Sequence, residues 1–179
     1  RRFRVCYFQP ESALNQKDAQ RYAQNEITCN RQWFYSDTTH NSVDMVLAVN
    51  GIPVFAFELK NQFTGQTVEN AKQQWMHDRD PREVCFQFNK RILGYFCVDL
   101  TEVWMATRLA GKDTRFLPFN QGSNGAGRDG GAGNPPNPNG YLTAYLWEEV
   151  FQKDSMMDIL QKFMSPVSYT HLRAHETLS

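Results

Sequence analysis

The chain has 179 residues, 41% of them hydrophobic, which suits one ordinary domain. Its 19 basic and 19 acidic residues give a formal net charge of zero. This excludes a protein that binds nucleic acid through overall positive charge, so any such surface must be local. The sequence shows no apolar run long enough to span a membrane and no signal-peptide pattern, so we expect no membrane partner.

The cysteines are widely spaced and form no CxxC pair: Cys6, Cys29, Cys85 and Cys97. We expect reduced, mostly buried thiols in a cytoplasmic protein and no metal–cysteine site. Both ends of the sequence are expected to be cut. Residues 167–179 resemble a translated sequencing-library adapter, so we treat them as a non-native tail and leave His171 and His175 out of any metal site.

The first elements are a helix and a strand. Residues 15–25 are polar and compatible with a helix, and residues 27–35 predict a strand with Trp33 and Tyr35 on one face. We expect that strand to neighbour the next one in the same sheet. Glu26 stands at its beginning, either as a further acidic ligand or, in the interpretation we favour, as a solvated charge.

Residues 44–60 form two apolar runs joined at Asn50 and Gly51, a strong hairpin signal. The bulky residues of both runs are odd-numbered: Val43, Met45, Leu47 and Val49, then Phe55, Phe57 and Leu59. Side chains alternate between the faces of a strand, so these residues should share one core face.

Asp44, Glu58 and Lys60 would then share the opposite face. This arrangement requires residues of like parity to pair across the hairpin, whereas a plain two-residue turn pairs residues of opposite parity. We therefore predict a three-residue loop or a bulge, with Gly51 at positive φ.

The charged ends of these apolar strands indicate a metal site. Buried charges are costly unless they are paired or bind a metal. The carboxylates of Asp44 and Glu58 are hard ligands suited to Mg²⁺, and the backbone carbonyl of Leu59 could add a third oxygen. Lys60 could orient a water or stabilise charge on an attacked phosphate. The structural alternative is an idle, solvated salt bridge between Glu58 and Lys60.

A helix is predicted from residue 66 to about residue 78. Its polar residues could face the metal or its water, or be ordinary surface residues: Lys72, Gln73 and Gln74. Pro81 prevents the helix from continuing. Arg79 and Arg82 follow, and they either contact phosphates or pair with nearby acids.

Residues 89–99 and 102–108 predict a second pair of strands, the first apolar on both faces and therefore central. Residues 116–120 are a short extended piece. Five cations give this region local basic character: Lys90, Arg91, Arg108, Lys112 and Arg115.

Residues 121–140 are rich in glycine, asparagine and proline and predict a mobile exposed loop. Residues 125–130 match G-x-G-x-x-G, but no strand leads directly into them and no helix follows, so we reject a dinucleotide site. Residues 141–164 predict two helices, the second capped by Asp154 or Ser155, with apolar faces made to pack on this domain or on a missing neighbour.

Two acids and a lysine in this order, Asp44 and then Glu58-Leu59-Lys60, resemble the PD-(D/E)xK nuclease motif. Residues 41–61 as a whole resemble the amino-terminal nuclease region of the restriction (R) subunit of type I restriction enzymes. The similarity continues through residues 64–71, 78–83, 107–112, 116–120, 133–138 and 145–150.

This resemblance implies an α/β fold with a mixed central sheet flanked by helices, a restriction-endonuclease-like core. It implies a Mg²⁺-dependent endonuclease in which Asp44 and Glu58 hold the metal and Lys60 is catalytic. The family often adds a Gln-x-x-x-Tyr motif on the following helix. Gln74 is the best match for its glutamine, but Asp78 stands where the tyrosine would be.

The implied partners are duplex DNA and the methylation and specificity subunits of the restriction–modification complex. The implied domains are a nuclease domain at 1–120, the loop at 121–140 and a helical link at 141–166 toward an ATP-driven motor that this chain lacks. Two alternatives remain: a stand-alone repair or recombination nuclease of the same fold, and a docking module without activity.

Overall fold

A mixed β-sheet forms the centre of the protein in a computed structural model, which describes residues 4–12, 14–36 and 38–163. Within these residues six strands lie side by side in chain order. They are β1 (Ile27–Phe34), β2 (Ser42–Val49), β3 (Ile52–Leu59), β4 (Gly94–Val98), β5 (Val103–Ala106) and β6 (Leu117–Pro118). β3 and β4 run parallel, and the other neighbours are antiparallel.

Helices flank this sheet. They are α1 (Gln16–Ala23), a 3₁₀ turn (Gln62–Thr64), α2 (Val68–Gln73) with a π-helical turn (Gln74–Asp78), a second π-helical turn (Leu146–Val150) and α3 (Lys153–Lys162). The predicted α/β class and the predicted helix at 66–78 are confirmed. The expected tail at 167–179 lies outside the described residues.

Two hydrophobic clusters occupy the two faces of the sheet. The first core joins the odd-numbered residues of the hairpin to the late helices, with Phe57, Tyr145 and Met156 among its members. The second core packs under α2 and contains Val46, Ala56 and Trp75. The late helices therefore pack on this domain, one of the two alternatives that their apolar faces left open.

The hairpin combines a two-residue turn with a bulge. Asn50 and Gly51 both have positive φ, 49° and 80°, and Val49 pairs with Ile52. Ala48 then pairs with Pro53 but Leu47 pairs with Phe55, so Val54 is the extra residue. The bulge restores like parity for the rest of the hairpin. The predicted bulge and the positive φ of Gly51 are confirmed, and the three-residue loop is not formed.

Val43 departs from the predicted face. It belongs to the second core, whereas Met45 packs against the first. The same change of face occurs in β1, where Ile27 packs on the first core and Trp33 on the second. Between them Gln32 adopts a φ of 47°, outside extended geometry. This local twist turns the end of the strand pair over, so the prediction for Val43 was wrong.

Three predicted boundaries also differ. The predicted central strand 89–99 begins only at Gly94, because residues 87–90 close a turn in which Asn89 has a φ of 56°. β4 is nevertheless buried along its whole length, as a central strand should be. The strand predicted at 102–108 is shorter, and α3 is preceded by Gln152 in place of the expected Asp154 or Ser155.

The glycine-rich segment 121–140 has no helix or strand and is largely exposed. Asn134 ties it to the sheet region: its Nδ2 donates to the Thr101 carbonyl at 2.8 Å and to Asn120 Oδ1 at 2.9 Å. The predicted mobility of the segment stays a prediction. None of the described helices is long and apolar enough to cross a membrane.

Candidate active site

The two predicted acids lie side by side at one end of the hairpin. Asp44 is near the start of β2 and Glu58 near the end of β3, and Met45 pairs with Phe57 between them. Asp44 Oδ2 accepts a 2.8 Å hydrogen bond from the backbone N–H of Leu59. Asp44 Oδ1 accepts a 3.2 Å bond from Gln32 Nε2. The carboxylate of Asp44 is thereby anchored next to Glu58.

Glu58 is fully buried, and Arg79 balances its charge. Arg79 donates to Glu58 Oε1 from Nε at 2.9 Å and from Nη2 at 2.6 Å. The same Nη2 donates to the Ser42 carbonyl at 3.0 Å, and the guanidinium lies 5.7 Å from the centre of the Tyr35 ring. Arg79 thus joins the start of β2 to the end of β3.

Burial raises the pKa of Glu58 to about 7, and the negative charge of Asp44 adds to this effect. Arg79 opposes the rise, because its positive charge favours the ionised carboxylate. A buried carboxylate beside a second acid is the environment in which a cation is most needed.

Two buried oxygens of the predicted site residues lack a hydrogen-bond partner: Glu58 Oε2 and Gln74 Oε1. Unpaired buried oxygens are uncommon in folded proteins and indicate a ligand, an ion or a water. Glu58 Oε2, beside the Asp44 carboxylate, is a hard oxygen donor of the kind that Mg²⁺ prefers. The donor set therefore fits a divalent cation, although the described residues contain no group of three acidic, histidine or cysteine side chains that could hold one unaided.

Lys60 directly follows β3. Its backbone N–H donates to the Val98 carbonyl at 2.8 Å, and its side chain is partly buried. Glu58 pairs in register with Cys97 of β4. Burial raises the pKa of the Cys97 thiol, and the positive charges of Lys72 and Lys60 oppose that rise. That Lys60 shares the face of Asp44 and Glu58 stays a prediction.

The structural alternative, a salt bridge between Glu58 and Lys60, is not observed in the described residues, since Arg79 is the partner of Glu58. A ligand role for the Leu59 carbonyl and a catalytic role for Gln74 stay predictions. Gln74 does place its Oε1 in the protein interior, which suits that role.

Other candidate residues lie elsewhere. Glu26 is at the hairpin-turn end of the sheet, where its backbone N–H bonds to Asn50 at 2.8 Å, so it is not a ligand of this site. Lys72 binds Glu69 and sits 3.5 Å from the centre of the Trp104 ring. Gln73 is exposed.

Asp78 and Arg82, at the end of α2 and beyond, are not brought to the site. Asp78, where a tyrosine was expected, is exposed. Arg82 pairs with Asp80 at the surface. The sequence indicated that Arg79 and Arg82 could each pair with a nearby acid. It did not indicate that Arg79 pairs with Glu58, which lies 21 residues earlier in the chain.

A comparison with protein families finds a match that covers most of the chain. The family described as the type I restriction enzyme R protein N terminus matches residues 8–122, more than half of the chain. Neither the curated proteins nor the solved structures compared with the chain contain a match. The matched region runs from the segment before α1 to just beyond β6, so it includes the whole sheet and every candidate site residue. The chain belongs to the family of type I restriction enzyme R protein N termini.

Proposed function

We propose that this chain is the Mg²⁺-dependent endonuclease region of a type I restriction enzyme R subunit and hydrolyses phosphodiester bonds of duplex DNA. One observation carries the proposal: the fully buried Glu58 keeps an unpartnered oxygen beside Asp44 at the end of the hairpin. Membership of the family supports a role in a restriction system, and the oxygens of Glu58 and Asp44 support the binding of Mg²⁺.

Asp44 and Glu58, with the Leu59 carbonyl, would hold Mg²⁺. When bound, the ion polarises the phosphate and lowers the pKa of a coordinated water. Arg79 occupies Oε1 of Glu58 and leaves Oε2 free, so it fixes the orientation of the carboxylate. Lys60 would orient the attacking water or stabilise negative charge on the phosphate, and Gln74 Oε1 would accept a hydrogen bond from that water.

The restriction-endonuclease-like core is part of this proposal, as is its setting. The full subunit would join the nuclease to an ATP-driven motor, and it would work with methylation and specificity subunits. Affinity for the recognised DNA site would then come from other parts of the complex, which is consistent with the zero net charge of this chain.

The test is Mg²⁺-dependent DNA cleavage by the complete complex carrying Lys60→Ala. We expect the cleavage rate to fall by a factor on the order of 10²–10³, as when a group that stabilises a developing charge is removed. ATP hydrolysis by the complex should be unchanged, which checks assembly. Lys17→Ala, an exposed lysine on α1, is the matched control. Cleavage by the Lys60→Ala complex at the wild-type rate would contradict the proposal.

A docking module without activity is the second candidate, and the ion pair between Arg79 and Glu58 favours it, because a guanidinium can neutralise a buried acid without a metal. Metal binding separates the two functions. Titration calorimetry of the chain with Mg²⁺ should show one site that is lost in the Asp44→Asn variant. A chain that binds no Mg²⁺ would favour the docking module.

A further inference from the structure

Five exposed cations lie in two loop segments: Lys90, Arg91, Arg108, Lys112 and Arg115, here called the basic surface. Residues 88–91 and 107–116 contain these five and one acid, Asp113. None of the five forms an ion pair with another described residue. In a chain with zero net charge, this is a concentrated local excess of positive charge.

The fold brings the two segments together. The Arg108 guanidinium lies 5.5 Å from the centre of the Phe88 ring, so the loops meet at their exposed edges. Beneath them, Phe86 and Ile92 from one side and Leu109 from the other belong to the second core. The loops are therefore anchored on the same buried cluster as α2, and their five cations are exposed to solvent.

The basic surface adjoins the element that reaches the candidate site. A side chain at Gly111 would come within 3.9 Å of the Met76 carbonyl, so the second loop passes alongside the π-helical turn Gln74–Asp78. Arg79, the partner of Glu58, directly follows that turn. A polyanion on the basic surface would thus lie next to the elements that form the site.

We infer that the basic surface binds the phosphate backbone of duplex DNA beside the site, an inference that rests on the proposed function. Unpaired arginines and lysines contact phosphates without reading sequence, which fits a nuclease whose target is chosen elsewhere. The exposed Phe88 offers an apolar contact to a sugar between the charges.

The test is the salt dependence of DNA binding by the 179-residue chain, measured by fluorescence anisotropy with a labelled duplex in EDTA. Lys112→Gln/Arg115→Gln removes two positive charges from the basic surface. Lys17→Gln/Arg128→Gln removes one lysine and one arginine elsewhere and is the matched control. Circular dichroism checks that each variant is folded.

We expect the Lys112→Gln/Arg115→Gln variant to have a slope of log K against log salt that is less steep by about 1.8, the value for two lost phosphate contacts. Near 0.1 M salt this corresponds to binding that is roughly ten- to sixtyfold weaker. The control should keep the wild-type slope. Equal losses in both variants would reduce the effect to net charge and overturn the inference.

If the Lys112→Gln/Arg115→Gln variant kept the wild-type affinity and slope, the inference would also be overturned. An acidic protein would then be the partner of the basic surface. Because binding is measured without Mg²⁺, the result is independent of cleavage. The two proposals can therefore fail separately. Weaker DNA binding by the Lys112→Gln/Arg115→Gln variant, together with wild-type cleavage by the Lys60→Ala complex, would support the DNA-binding surface and contradict the proposed nuclease.

Discussion

Glu58 places an acid at a position with no access to solvent, next to another acid. Such a group is held in a folded protein only by a partner, and Arg79 is that partner on one oxygen. The other oxygen is left without a donor. The protein therefore provides a positive partner for only one of the two carboxylate oxygens. The unpartnered oxygen, Oε2, is the basis for proposing a metal.

Removing the partner should expose this dependence. We expect Arg79→Ala to lower the free energy of unfolding by about 3–5 kcal/mol at pH 8, because an uncompensated carboxylate stays buried. The loss should be smaller at pH 5, where Glu58 takes up a proton. Urea unfolding at both pH values measures it. Arg82→Ala removes the exposed ion pair with Asp80 and should leave stability unchanged. Equal effects of the two substitutions would contradict this account.

The raised pKa of Glu58 also predicts how stability varies with pH. Between its ordinary value of 4.5 and about 7, the folded protein holds a proton that the unfolded chain has released. Stability from this group is thus fully present below pH 4.5 and is lost as the pH rises through 7.

We expect the loss to be about 3 kcal/mol and to be absent in Glu58→Gln, measured by urea unfolding from acid to neutral pH in EDTA. Subtraction of the two pH profiles isolates Glu58 from every other group. Parallel profiles for the two proteins would show that Glu58 has no raised pKa.

At the scale of elements, the hairpin was the most predictable part of the protein. The like parity of its bulky residues required a bulge, and Val54 provides it. The twist that moves Val43 to the other face was not predictable, since it depends on the positive φ of Gln32 in a different strand. The pairing of Arg79 with Glu58 is likewise a contact between elements, which no local pattern encodes.

Strand β4 depends on a close approach at Gly94. A Cβ at this position would lie 2.9 Å from the ring of Phe55, which is buried on the neighbouring strand. We expect Gly94→Ala to destabilise the protein by about 1–3 kcal/mol in chemical denaturation, because the added methyl group would press on the buried ring. Gly131→Ala is the control, since its nearest neighbour would be at 3.6 Å. A neutral Gly94→Ala would show that the sheet relaxes there.

At the scale of the whole molecule, residues 141–163 complete the first core. Met156, Met157 and Leu160 of α3 are buried in it, and the Tyr22 hydroxyl donates to Asp154 at 2.6 Å. The segment was predicted from sequence as a link toward a motor, and that role stays a prediction. Its packing on the sheet is a separate property, which the apolar spacing indicated without naming the surface it covers.

This packing predicts that Met156→Ala lowers the free energy of unfolding by about 2–5 kcal/mol, the range for a fully buried side chain that leaves a cavity. A single cooperative transition should be kept, because α3 and the sheet share one core. Glu148→Ala, exposed on the preceding turn, is the control. A separate early transition for the late helices would indicate that they form an independent unit.

The single extra residue at Val54 sets a counting rule for this hairpin. Gaining or losing one residue between Asp44 and Glu58 would rotate one acid away from the other, whereas a change of two would keep them on a common side. Homologues should therefore conserve whether that interval is odd or even more strictly than they conserve its length. Any homologue that breaks the rule should carry a second irregularity that compensates for it.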